Sequence, residues 1–109
     1  MTTDEGTGDL GRFAEPALLV MVSLASGTKH GYSIMADIAS FSGTRIGPGT
    51  LYAVLARLEA RGLIEPLDEV ERRRPYRLTP QGAAALDAQL RVIGRLVQAA
   101  RVRRPHVAG

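Results

Sequence analysis

The alternation of apolar and polar positions along the chain predicts four helices and one short hairpin. From about Glu15 to Ala25 almost every residue is apolar (Ala17, Leu18, Leu19, Val20, Met21, Val22, Leu24), the pattern of a helix buried on several sides. Pro16 suits its first turn and Gly27 its end. Over "GYSIMADIASF" the residues Ile34, Ile38 and Phe41 share one helical face, and Gly43 stops the helix. A third helix over 48–61 places Leu51, Val54, Leu55 and Leu58 at i, i+3, i+4 and i+7, with Gly62 as its cap. Two strand-like pieces follow, "LIEPL" and "RPYRLT", separated by the charged "DEVERR". Within the second, Tyr76 and Leu78 alternate with Arg77 as in a half-buried strand. "TPQG" then opens a last helix, with Thr79 as N-cap and Pro80 at its first position, running to about Arg103.

This order predicts a mainly α fold with a small β-hairpin (α+β): a winged helix-turn-helix ending in a long dimerisation helix. Residues 1–13 and 104–109 read as flexible tails, 14–79 as the winged domain and 80–103 as the C-terminal helix.

The outer side of the third helix raises a question of its own. Opposite the leucine and valine stripe stand Gly49, Ala53, Ala56 and Ala60, where a surface helix normally carries Lys, Glu or Gln. Thr50, Arg57 and Arg61 flank this bare face on one side and Tyr52 on the other. A DNA major groove, about 12 Å wide, just admits a helix, and small residues allow close approach. Alanine is also the best helix former, and the same face could pack on another helix. The charge distribution bears on the choice. The net charge of +3 conceals a second half far more basic than the first, and arginine outnumbers lysine 13 to 1. Arginine is the side chain best shaped for phosphate and guanine. Arg72, Arg73 and Arg74 fall where a wing would meet a DNA backbone, though neighbouring Asp68, Glu69 and Glu71 would partly neutralise them, and only one or two would reach DNA. Tyr32, Lys29 and His30, around the start of the second helix, could either reach a phosphate or serve the core.

On the last helix, Leu86, Leu90, Ile93 and Val97 form one stripe and Val92, Leu96 and Ala99 another beside it. Together they exceed what a small three-helix core needs. Unless both stripes pack within the chain, the surplus predicts a second copy, and a two-fold dimer matches the half-sites of a palindromic operator. On this helix the expected dimer interface comprises Leu86, Leu90, Ile93, Leu96 and Val97.

Composition closes other routes. With no cysteine and only His30 and His106, a transition-metal site is not expected. No nucleophile motif, paired acid–base constellation or phosphate-cradling loop points to an enzyme, and no cofactor is expected. No apolar run is long enough for a membrane span, and no secretory signal precedes "PALLVMVSLAS", so a cytoplasmic protein is expected.

In combination, "HGYSIMADI", "GPGTLYAVLARLEARGLIE" and "RRRPYRLTPQG" resemble the three signature blocks of the PadR-type transcriptional regulators, over about residues 14 to 86. The resemblance implies a winged-helix repressor, dimeric through its first helix (with Leu18 and Val22 in the interface) and its last, that reads a roughly palindromic double-stranded DNA site. It places Gly49, Thr50, Tyr52 and Ala53 at the DNA, with Arg57 farther along and Arg72, Arg73 and Arg74 in the wing. Two positions depart from the pattern: Gly47 replaces a frequent Ser, and Ala53 a frequent Pro or Gly. The short C-terminal part resembles the smaller branch of the family, where no large effector pocket is expected. The competing reading is a winged-helix module that docks on protein through the bare face of its third helix.

Overall fold

The computed structural model describes residues 15–104, so the two expected tails lie outside the described residues, apart from Arg104. Among these residues seven elements follow one another: α1 (Pro16–Ala25), β1 (Lys29–His30), α2 (Gly31–Ser42), α3 (Pro48–Ala60), β2 (Ile64–Pro66), β3 (Pro75–Leu78) and α4 (Pro80–Arg103). The expected helices stand where the pattern put them, within a residue at each end. The hairpin has an additional strand. β3 lies at the centre of an antiparallel sheet ordered β1-β3-β2, with Lys29 opposite Tyr76 and Glu65 opposite Arg77.

The core forms where α1 meets α2, α3, β3 and the start of α4. Leu19, Val20, Met21 and Leu24 of α1 pack against Ile34 and Ile38, Leu51, Val54, Leu55 and Leu58, Ile64 and Leu86. A nearly all-apolar α1 is thus accounted for by neighbours on several sides. Phe41 departs from expectation: it shares the face of Ile34 and Ile38 but lies in the last turn of α2, beyond the core, and is 46% exposed.

One polar network joins three elements beside this core. The buried Ser23 donates its hydroxyl to Asp37 Oδ2 at 2.7 Å, while Lys29 Nζ reaches the Ser23 carbonyl at 2.5 Å and lies 3.8 Å from Asp37. Lys29 therefore ties β1 to α1 and α2, which removes it from the candidate phosphate ligands.

The entry into α4 is equally tight. Thr79 donates its hydroxyl to the Gly62 carbonyl at 2.6 Å and accepts the Gly82 amide at 3.0 Å, capping α4 while gripping the end of α3. Gly82 lies against the Leu63 backbone so closely that a Cβ there would overlap the Leu63 carbonyl. Leu86, one turn on and expected at a dimer interface, is buried in its own chain's core, and the exposed apolar side chains of this helix begin at Leu90. From there α4 leaves the core, its 24 residues spanning about 36 Å. Leu90, Leu96 and Val97 remain 44–50% exposed along it, and Ile93 half-buried. On α1, Leu18 and Val22 are half-buried.

Candidate nucleic-acid interface

α3 turns Leu51, Val54, Leu55 and Leu58 into the core, so helical spacing leaves its opposite side outward. Gly49, Thr50, Tyr52, Ala53, Ala56, Arg57 and Ala60 are all exposed there. Among the described residues no element covers this face. A Glu or Lys every turn would hold a neighbouring surface at a distance; these small residues admit one. The N-cap is Gly47, in extended conformation and without a side-chain cap bond, which is the consequence of having no Ser at this position.

Tyr52 fixes the start of α3 against α2. A Cβ at Gly31 would stand 2.5 Å from the Tyr52 hydroxyl, so any larger residue at the first position of α2 would push this exposed ring outward. The ring is half-exposed and lies along the edge of the bare face. Tyr32 is 71% exposed and plays no part in the core.

The wing arginines divide their roles. Arg74 donates to the Leu67 carbonyl at 2.7 Å and braces the two sides of the hairpin. Arg73 Nη1 lies 3.2 Å from His30 Nε2. His30 reaches this place through β1, which pairs it with Pro75 at the wing's base. Its ring also caps α2, with Nδ1 3.4 Å from the Ser33 amide. A neutral ring has only one acceptor nitrogen, so it either caps Ser33 through Nδ1 or receives Arg73 through Nε2. Arg72 occupies the tip. Val70 and Arg73 exchange both backbone hydrogen bonds, at 2.8 and 2.9 Å, around Glu71 and Arg72, whose φ values are 50° and 66°. A two-residue turn with both central φ positive is normally made by Asn-Gly. With Glu-Arg it costs about 1–2 kcal/mol per residue, and it holds a guanidinium at the outermost point of the wing.

Arg72, Arg73 and Arg74 line a recess of about 240 Å³ together with His30, Tyr52 and Tyr76. The wing thus faces the N-terminal half of α3 across a basic cleft, with Glu69 the one acid lining it. Burial, with smaller contributions from Glu59 and Tyr52, raises the pKa of Tyr76 above the ordinary phenol value; Arg74 pulls the other way. Its hydroxyl therefore stays protonated at neutral pH. The chemistry available is that of donors and cations around a concave surface, suited to anionic backbone rather than to catalysis. Among the described residues no group of His, Asp and Glu could hold a metal ion, and no helix is long and apolar enough to cross a membrane.

Three helices, a small sheet with a basic wing and a bare third helix define the winged helix-turn-helix class. The model of the transcriptional regulator PadR-like family matches residues 20–88, and the chain belongs to that family. It is 37% identical over 95 residues to the transcriptional regulator Rv3488 of Mycobacterium tuberculosis, covering 84% of this chain and 88% of that protein. It is 47% identical over 85 residues to an uncharacterized 37.1 kDa protein of transposon TN4556 from Streptomyces fradiae. That match takes in 78% of this chain and only a quarter of the transposon protein's length. A PadR family transcription regulator from Clostridium difficile has the same fold, with a TM-score of 0.72 at 23% identity over 79% of this chain and 94% of that one. The protein is a transcriptional regulator, and the proteins of its family are regulators rather than enzymes.

Proposed function

We propose that the chain is a cytoplasmic dimeric repressor that inserts α3 into the major groove of a roughly palindromic operator and lays its wing on the flanking backbone. The observation that carries this reading is the uncovered small-residue face of α3 beside a wing bearing three arginines. Gly49, Thr50, Tyr52 and Ala53 approach base edges and the near phosphates, and Arg57 the backbone farther along. Arg72 and Arg73 supply most of the wing's contact, since Arg74 is occupied as a brace. Repression follows from occupancy, because a dimer over an operator at a promoter excludes polymerase.

The dimer rests on the exposed apolar face of α4 from Leu90 to Val97. It is supported by a groove of about 260 Å³ between α1 and α4, which Leu18, Met21 and Ala85 help line. An apolar face of this length outside the core fits the same helix of a second copy. Because the core ends at Leu86, the Ile93→Asp variant is expected to keep its helical circular dichroism while sedimenting as a monomer. A variant that still sediments as a dimer would move the interface elsewhere.

The direct test is fluorescence anisotropy with DNA from upstream of the protein's own gene against an unrelated duplex, at several salt concentrations. Tight binding to the upstream DNA alone, at one dimer per site, is the expected result. Weak and equal binding to both, lost with salt, would leave only basic-surface electrostatics and favour docking on protein. Reversing charge at Arg72 and Arg73 should weaken binding to every sequence alike and lower the salt slope by about one unit per arginine in each half-site. An unchanged slope removes the wing from the mechanism.

A further inference from the structure

We infer that Arg45 and Tyr32 form a second backbone clamp, on the side of α3 away from the wing, that takes a phosphate of the other wall of the major groove. The inference rests on the DNA-binding reading above and deepens it. Arg45 sits in the turn between α2 and α3, two residues before the N-cap of the reading helix. It is exposed, and among the described residues no ion pair or hydrogen bond engages it. The turn that carries it is held in place. Gly43, at φ 74°, donates its amide to the Ala39 carbonyl at 3.0 Å, and the Ser42 hydroxyl accepts the Thr44 amide at 3.0 Å.

Arg45 and Tyr32 line one open recess of about 250 Å³, floored by Met35, Ala36, Ala39 and Ile46. The first turn of α2 separates this recess from the basic cleft of the wing. His30 and Gly31 line the wing side, while Tyr32 lines the Arg45 side. Two donor-bearing recesses therefore flank the end of α3 that enters the groove, and a helix in the major groove has a phosphate ridge on each wall.

The charge around Arg45 fits a phosphate and nothing acidic of the chain's own. Between Lys29 and Leu58 the sequence contains a single acid, Asp37. That carboxylate is already engaged by the Ser23 hydroxyl and Lys29. No acid lines the recess. The other residues lining the recess are apolar, so Arg45 and Tyr32 are its donors, and an arginine fork and a hydroxyl can hold one phosphate together.

The experiment compares wild type, Arg45→Gln, Tyr32→Phe and the double variant on an operator duplex and an unrelated duplex across salt concentrations. Arg72→Gln serves as the wing control, and thermal melts confirm folding. Arg45→Gln is expected to weaken binding several-fold for specific and unrelated DNA alike and to lower the salt slope by about one per half-site. Tyr32→Phe should cost less after Arg45→Gln than before it, because both side chains hold the same phosphate. Wild-type affinity and slope in Arg45→Gln, with Arg72→Gln impaired, would overturn the clamp and leave the DNA reading standing. Failure of wild type to bind any duplex would overturn both.

Discussion

The Ala53→Glu variant is expected to lose specific operator binding by at least about 100-fold, near 3 kcal/mol, while melting at the wild-type temperature. Ala53 lies at the middle of the small face of α3, with Gly49 one turn before it and Ala56 and Ala60 after. In a groove about 12 Å wide, a helix that approaches by its backbone leaves no room for a glutamate side chain. Any pose that accommodates it must lift the whole helix away from the bases. The carboxylate also brings negative charge between two rows of phosphates, and opposed like charges cost several kcal/mol. The position is exposed and no neighbour needs its methyl group, so folding and dimerisation have no reason to change. Anisotropy against operator and unrelated DNA separates the two consequences. An Ala53→Glu protein that still distinguishes the operator would show that another surface reads the sequence.

The second large effect concerns stability. Gly82→Ala is expected to destabilise the protein by about 3 kcal/mol, since overpacking against a rigid neighbour typically costs 1–3 kcal/mol and sometimes more. The added methyl meets the Leu63 backbone, not the flexible end of a side chain, so nothing can swing aside. Either α4 shifts along its axis, breaking the Thr79 cap, or β2 moves from β3. For a small domain holding about 5–15 kcal/mol in total, that is a large share. A urea melt reads it directly. An unchanged midpoint would mean that the junction of α3, β2 and α4 gives way at little cost.

The helices were legible in the sequence because burial imposes a period on them. Leu51, Val54, Leu55 and Leu58 declared both the existence of α3 and which side faces out. Thr79 and Pro80 likewise announced the start of α4. β1 was not legible, since a two-residue strand has no period and Lys29 and His30 are not residues that favour strands. Its consequence, that His30 stands beside Arg73, was hidden with it. Three consecutive arginines looked equivalent in the sequence. Only the register of the hairpin shows that Arg74 turns back to the Leu67 carbonyl while Arg72 occupies the tip. Leu86 lay on the same stripe as Leu90, Ile93 and Val97, and periodicity alone could not say where along that stripe the core stops. The close approach at Gly82 was not legible either: a glycine in a helix costs about 1 kcal/mol wherever it stands, and Gly94 of the same helix meets nothing within 4 Å.

One feature of the chain's path bears on the operator itself. Thr79 alone separates β3 from α4, and both of its hydroxyl bonds are used, so the winged domain and the long helix are joined without slack. In the proposed dimer the distance and angle between the two α3 helices are then set by how the two α4 helices cross, with no linker to absorb error. An operator lengthened by one base pair moves a half-site about 3.4 Å along the axis and about a tenth of a turn around it. A flexibly tethered regulator would follow that displacement; this one would have to strain its dimer contact or release one half-site. The spacing between half-sites should therefore be as strict a determinant of its targets as the bases within them.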